Sequence, residues 1–93
     1  ELDGENAVTC ELLLIKMANE PATREEVRAA AEAFKAKIVD YTRDTMMMQM
    51  TGDPRRIDAF INLMSDYAIL EICRTGIVSL ERGSSTIRQV TNL

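Results

Sequence analysis

The 93-residue chain contains no histidine and no tryptophan, and it has only two cysteines, two tyrosines and two phenylalanines. The lack of histidine excludes a Ser-His-Asp triad, a histidine general base and a histidine zinc site. The cysteines, Cys10 and Cys73, stand outside any CxxC motif, and two thiols alone cannot complete a tetrahedral metal site. No residue set offers a nucleophile with a matching base. We therefore expect no catalytic residues, no metal site and no cofactor site on this chain.

Long hydrophobic runs and an excess of positive charge are also missing. No run approaches the roughly 20 apolar residues of a membrane span. The net charge of -4 weighs against nucleic acid, whose affinity comes mostly from Lys and Arg on phosphate. The N-terminal residues show no signal-peptide pattern, and isolated thiols in apolar runs are typical of buried residues in a reducing compartment. We expect a cytoplasmic protein (in a plastid or mitochondrion if eukaryotic) that binds neither nucleic acid nor membrane.

The size and composition fit one small domain. Hydrophobic residues make up 46% and charged residues 28% of the chain, and 93 residues suffice for one modest core. Local patterns divide the chain into a flexible N-terminal segment over residues 1–7, a folded domain over residues 8–83 and a polar tail over residues 84–93.

The first half of the chain predicts a strand, a helix and a hairpin. Residues 8–17 form a short apolar run that is typical of a strand. Thr23 and Glu26 have the spacing of a capping box, in which each side chain satisfies the other's free backbone N–H. Strands are predicted over residues 38–42 and 45–51, joined by a turn at Arg43 and Asp44. The predicted apolar stripe of the helix consists of Val27, Ala30, Ala31, Phe34 and Ile38.

The second half predicts another helix and a strand. Asp53 is a good N-cap, and Pro54 fits the first helical position. A strand follows over residues 69–75, and Gly76 marks a bulge or bend before residues 77–80, which continue extended. The predicted stripe of this helix consists of Ile57, Phe60, Ile61 and Met64.

This order of elements, β-α-β-β-α-β, predicts an α+β, ferredoxin-like fold. Right-handed crossovers place the four strands in the order 4-1-3-2, all antiparallel, with both helices on one face. We expect no intrachain disulfide in this arrangement, because the two cysteines lie near opposite ends of neighbouring strands. The residues predicted to face the helices are Leu13, Ile15, Met17, Val39, Tyr41, Met46, Met48, Met50, Leu70 and Ile72.

The opposite face of the sheet has no predicted cover. Leu12, Leu14 and Met47 would form an apolar patch there, of the kind that marks an interface. We therefore predict these three residues as a candidate interface.

Several segments together resemble the C-terminal domain of the small, regulatory subunit of acetolactate synthase (acetohydroxyacid synthase). The combination of Thr51-Gly52-Asp53, Ile57-Asp58-Ala59-Phe60 and Arg74-Thr75-Gly76 at these spacings is fairly specific. The resemblance covers roughly residues 10–83. The other segments that carry it are residues 11–16, 23–27, 36–40 and 77–83.

The resemblance implies a non-catalytic role in branched-chain amino-acid biosynthesis. In that family the catalytic subunit carries thiamine diphosphate, Mg²⁺ and FAD, and it condenses pyruvate with pyruvate or 2-oxobutyrate. The small subunit activates its partner and confers feedback inhibition, typically by valine. Effector binding belongs chiefly to an N-terminal ACT domain and its dimer interface, and these 93 residues do not include that domain. The resemblance therefore implies dimerisation and contact with the catalytic subunit, and it assigns no effector site to any residue. The alternative function is a stand-alone amino-acid sensor with a pocket at a dimer interface.

Overall fold

Five strands and two helices lie within residues 7–83, which are the residues that the computed structural model describes. The first four strands form one antiparallel sheet in the order β2-β3-β1-β4, which is the predicted order. The ferredoxin-like fold is confirmed. The predicted polar tail and the first six residues lie outside the described range, and β1 begins one residue before the predicted domain. The elements are β1 (Ala7–Ala18), α1 (Arg24–Ala33), β2 (Lys37–Tyr41), β3 (Thr45–Gly52), α2 (Pro54–Met64), β4 (Ile69–Arg74) and β5 (Val78–Glu81).

A fifth strand extends the predicted four-stranded sheet. The chain turns at Gly76, whose φ of 88° is in the region that favours glycine. β5 then pairs antiparallel with the first four residues of β1, from Ala7 opposite Glu81 to Cys10 opposite Val78. This pairing is possible because β1 is longer than its neighbours, so residues 7–10 extend beyond the last β4 pair, Leu13 opposite Arg74.

The core lies between the sheet and the two helices. Six of the ten predicted sheet residues are buried there, including all three alternate methionines of β3. Both helices contribute the predicted stripes, although Ile38 belongs to β2 and not to α1. Burial of these side chains removes their apolar surface from water and is the main stabilising contribution to the fold. The core cluster consists of Leu13, Ile15, Met17, Val27, Ala31, Met46, Met48, Met50, Ile57, Phe60 and Met64.

Four residues predicted to lie in the core are instead exposed: Val39 at 42%, Tyr41 at 44%, Leu70 at 50% and Ile72 at 42%. All four lie on β2 and β4, the outer strands of the four-stranded sheet, and two of them sit at irregularities of register. The pairing shifts between Ile38 and Asp40 of β2, and it shifts again where β4 passes from Glu71 to Ile69. Val39 and Leu70 are the extra residues, and their neighbours Ile38 and Ile69 pack on the core instead.

Only one of the two predicted helix N-caps is present in the structure. Asp53 Oδ1 accepts a hydrogen bond from the backbone N–H of Arg55 at 2.8 Å, so this N-cap is confirmed. Thr23 makes no side-chain cap bond, so the predicted capping box is wrong. The carboxylate of Glu26 instead accepts a hydrogen bond from the Tyr67 hydroxyl at 2.8 Å, and this hydrogen bond raises the pKa of Tyr67 above its ordinary value.

A candidate interface on the open face of the sheet

One face of the sheet carries no helix within residues 7–83, and we call it the open face. Side chains directly opposite each other in neighbouring strands share a face. Leu14 stands opposite Gln49 on one side and Cys73 on the other, and Lys16 stands opposite Met47 and Glu71. The structure therefore places the predicted residues Leu12, Leu14 and Met47 together. The open face consists of Leu12, Leu14, Lys16, Met47, Gln49, Thr51, Glu71 and Cys73.

The centre of the open face is a shallow depression of about 210 Å³. Leu14, Met47 and Cys73 contribute apolar surface to its lining, and Leu12 lies outside it, nearer to β5. Lys16 Nζ and Glu71 Oε1 are 3.1 Å apart at its edge. Because the Glu71 side chain is 73% exposed, this ion pair contributes little to stability. An apolar surface edged by one balanced pair of charges is suited to contact with another protein surface.

The two cysteines are unpaired. Cys73 is exposed, so the prediction that both thiols are buried is wrong for it, because it lies on the uncovered face of an outer strand. Cys10 is half-buried. Cys10 pairs with Val78, whereas Cys73 pairs with Leu14, four positions further along β1. That separation is about 13 Å along a strand, which agrees with the expected absence of an intrachain disulfide.

A cluster on the helix-covered side was not predicted from the sequence. The guanidinium of Arg74 donates two hydrogen bonds to the carboxylate of Glu11, at 2.8 Å and 2.6 Å, and a third to Asp58 at 2.8 Å. The backbone N–H of Gly76 also donates to Glu11, at 3.3 Å. The cluster joins β1, α2, β4 and the turn into β5. Arg74 and Gly76 belong to a motif already noted in the sequence, but only the strand register shows that Glu11 faces them.

The hydrogen bonds from Arg74 lower the pKa of Glu11, although burial of this carboxylate opposes the effect. In turn, the hydrogen bonds to Glu11 and Asp58 raise the pKa of Arg74. Only 4% of Glu11 is exposed, so its charge depends on these partners to replace lost water. The arrangement fixes the start of the turn that leads into β5, and it presents no free acid or base for catalysis.

Within residues 7–83, no three His, Cys, Asp or Glu side chains come close enough to hold a metal ion. No helix in this range is long and apolar enough to cross a membrane. The open face, an apolar surface without a helix cover, is the candidate functional site in the described part of the chain.

Known proteins resemble the chain over most of its length. A family model described as the small subunit of acetolactate synthase matches residues 10–83. The acetolactate synthase small subunit of Bacillus subtilis is 39% identical over 84 residues, covering 90% of this chain and 49% of that protein. The probable acetolactate synthase small subunit of Archaeoglobus fulgidus is 41% identical over 80 residues, covering 86% of this chain and 50% of that protein.

A solved structure shows the same fold. The crystal structure of the acetolactate synthase small subunit from Thermotoga maritima superimposes with a TM-score of 0.82 at 34% identity, covering 91% of this chain and 52% of that one. The chain thus spans about half the length of the relatives that it matches.

Proposed function

The chain belongs to the family of acetolactate synthase small subunits, and from that premise we propose that it is the C-terminal, non-catalytic domain of a regulatory subunit. Its partner is an acetolactate synthase catalytic subunit, which holds thiamine diphosphate, Mg²⁺ and FAD. The domain supports dimerisation of the regulatory subunit, and with it the activation and feedback control of the partner in branched-chain amino-acid biosynthesis. The observation that carries this proposal is the family match over residues 10–83, which includes nearly all of the described domain.

The proposed location follows the relatives. We propose the cytoplasm, or the plastid in a plant, because the relatives from Arabidopsis thaliana and Nicotiana plumbaginifolia are named as chloroplastic. A mitochondrial location is the corresponding proposal for other eukaryotes.

The open face supports the proposed homodimer. Leu12, Leu14 and Met47 lie together on it, and each is only half-buried by the rest of the described chain. A second copy packed face to face would cover all three, in the way that two sheets pack in a sandwich. The stand-alone sensor has less support, because the depression beside Leu14 is shallow and no observation favours an amino acid within it.

Sedimentation velocity tests the homodimer. We expect the full chain to sediment as a dimer at tens of micromolar, and Leu14→Lys combined with Met47→Lys to sediment as a folded monomer, since two buried like charges per copy oppose packing. Leu63→Lys is the matched control, because Leu63 is 37% exposed on the helix-covered side. A monomeric wild-type chain at 100 µM, or equal dissociation by the control, would contradict the proposed dimer.

Activity measurement tests the regulatory role separately. The purified catalytic subunit is assayed for acetolactate formation alone and with increasing amounts of the chain. We expect a saturable change in rate with the wild-type chain and no change with an equal concentration of heat-unfolded chain. A rate that is independent of the folded chain at all concentrations would count against regulation by this domain.

A further inference from the structure

Four residues of β1 and all of β5 form a two-stranded ribbon beyond the end of the four-stranded sheet. We call residues 7–10 and 78–81 the β-arm. Within the described residues, β3 ends opposite Glu11, so it leaves the β3-side edge of residues 7–10 without a strand. The core cluster includes Leu13, Ile15 and Met17 of β1 but no residue of the β-arm, where only Ala7 is buried, with 3% exposed. A two-stranded ribbon is at best marginally stable in water without packing on one of its faces.

The two faces of the β-arm differ in chemistry. On the side that continues the helix-covered face, the residues are small or polar, and the hydroxyls of Thr9 and Ser79 are hydrogen-bonded at 3.1 Å. On the side that continues the open face, Val8 is 49%, Val78 59% and Leu80 58% exposed. Exposed apolar side chains in such a row mark a surface that another element covers.

The pattern along β1 shows where a cover is needed. Every second residue of β1 faces the helices, and this series changes from Thr9 and Glu11 to Leu13 and Ile15 where the core begins. The alternate series stays apolar from the β-arm through Leu12 and Leu14 into the open face. On the helix side of β1, residues are apolar where the helices cover them and become polar beyond that cover. Apolar residues on the other side therefore indicate a cover that continues over the β-arm.

Charge favours a second copy as the cover. The open side of the sheet carries Lys16 and Glu71, which are paired, and Lys37 and Asp40 of β2 stand opposite open-face residues. Two positive and two negative groups leave this surface without net charge, so a second copy of the same surface meets no net repulsion. A surface for a strongly acidic or basic partner would carry one sign of charge.

Area also favours inclusion of the β-arm. Residues 11–18 of β1 with β2, β3 and β4 give the open face about 430 Å² of projected area, and the β-arm adds about 130 Å². An interface of standard size covers about 800 Å² per partner, and side-chain relief raises accessible area above the projected value. The sheet with the β-arm approaches this size, whereas the sheet alone falls further short.

We infer that the open side of the β-arm packs against a second copy of this chain, as part of the same interface as the open face. This inference rests on the proposed homodimer and adds Val8, Val78 and Leu80 to its contacts. The contact also supplies packing for the open side of the ribbon, whose opposite side already buries Ala7, with 3% exposed.

The test replaces two arm residues by polar ones that keep the strand. In the full chain, Val8→Thr combined with Leu80→Thr removes apolar contact while retaining residues favourable to strands. We expect the dimer dissociation constant, measured by sedimentation equilibrium, to rise at least tenfold, because each change occurs twice in the interface. The matched control is Ile77→Thr, since Ile77 is 62% exposed but lies outside β5. The dimer dissociation constant of this control should stay within twofold of the wild-type value. Circular dichroism checks that every variant is folded, and Val78→Thr alone replaces the double variant if that variant unfolds.

The outcomes separate the two proposals. A wild-type dimer whose dissociation constant the folded arm variant leaves unchanged would overturn the arm contact and leave the sheet contact standing. A monomeric wild-type chain would overturn both. A monomeric wild-type chain whose arm variant loses binding to the catalytic subunit would assign the β-arm to that partner and overturn the second copy.

Discussion

Replacement of the two helix-capping candidates by alanine tests the structure at a point where it departs from the local sequence pattern. Asp53 caps α2 through a bond of 2.8 Å to the N–H of Arg55, whereas Thr23 makes no side-chain bond to α1. Loss of a functioning N-cap costs about 1 kcal/mol, within a range of about 0.5–2 kcal/mol. We therefore expect Asp53→Ala to lower the free energy of unfolding by about 1 kcal/mol, and Thr23→Ala by no more than a few tenths.

Urea unfolding followed by circular dichroism measures the free energy of unfolding of both variants under the same conditions. For a domain of this size, about 1 kcal/mol corresponds to a Tm lower by roughly 4–8 °C. The urea dependence of the unfolding free energy should be the same in both variants, because neither change alters the surface exposed on unfolding. Equal losses in the two variants, or a larger loss for Thr23→Ala, would refute the assignment of the caps.

Three further predictions concern the core, the buried carboxylate and the turn into β5. Phe60 is fully buried, so Phe60→Ala should cost about 3–5 kcal/mol in a urea titration, and a loss below 1 kcal/mol would contradict its place in the core. The pKa of Glu11 in the folded state lies below its ordinary value of 4.5. The ionised Glu11 carboxylate therefore stabilises the fold above pH 4.5, and this stabilisation is lost as the pH falls through the folded-state pKa. The difference in Tm between the wild type and Glu11→Gln should therefore narrow between pH 7 and pH 3, and a constant difference would contradict the pairing with Arg74. A Cβ at Gly76 would meet no atom within 4 Å, so Gly76→Ala should introduce only the backbone strain at φ 88°. We expect chemical denaturation to show a free energy of unfolding lower by about 1 kcal/mol. An unchanged free energy of unfolding would show that the turn has a different conformation.

Local patterns predicted most of the fold. The Asp53-Pro54 start of α2, its apolar stripe and the alternation of Met46, Met48 and Met50 each follow from short-range physics, and the structure confirms them. The β-bulges could not be predicted in this way, because they depend on pairing between strands that are distant in sequence. They determine that Ile38 and Ile69 are packed while their neighbours are exposed.

The candidate site was predicted in part. Alternation placed Leu12, Leu14 and Met47 on one face, and the register confirms that arrangement. The bend at Gly76 and the extended segment after it were predicted and are confirmed by β5, but the pairing of β5 with residues 7–10 of β1 was not predicted. The partner of Glu11 was missed because Arg74 is 63 positions away, and only the folded sheet brings the two together.

The proposed regulatory role depends on contact with a catalytic subunit. Co-elution of the chain with a purified acetolactate synthase catalytic subunit from the same source, with mass determined by light scattering, measures that contact directly. We predict a stable complex whose mass exceeds that of the catalytic subunit alone by whole copies of the chain. Separate elution of the two proteins at micromolar concentration, with the chain shown to be folded, would contradict the account.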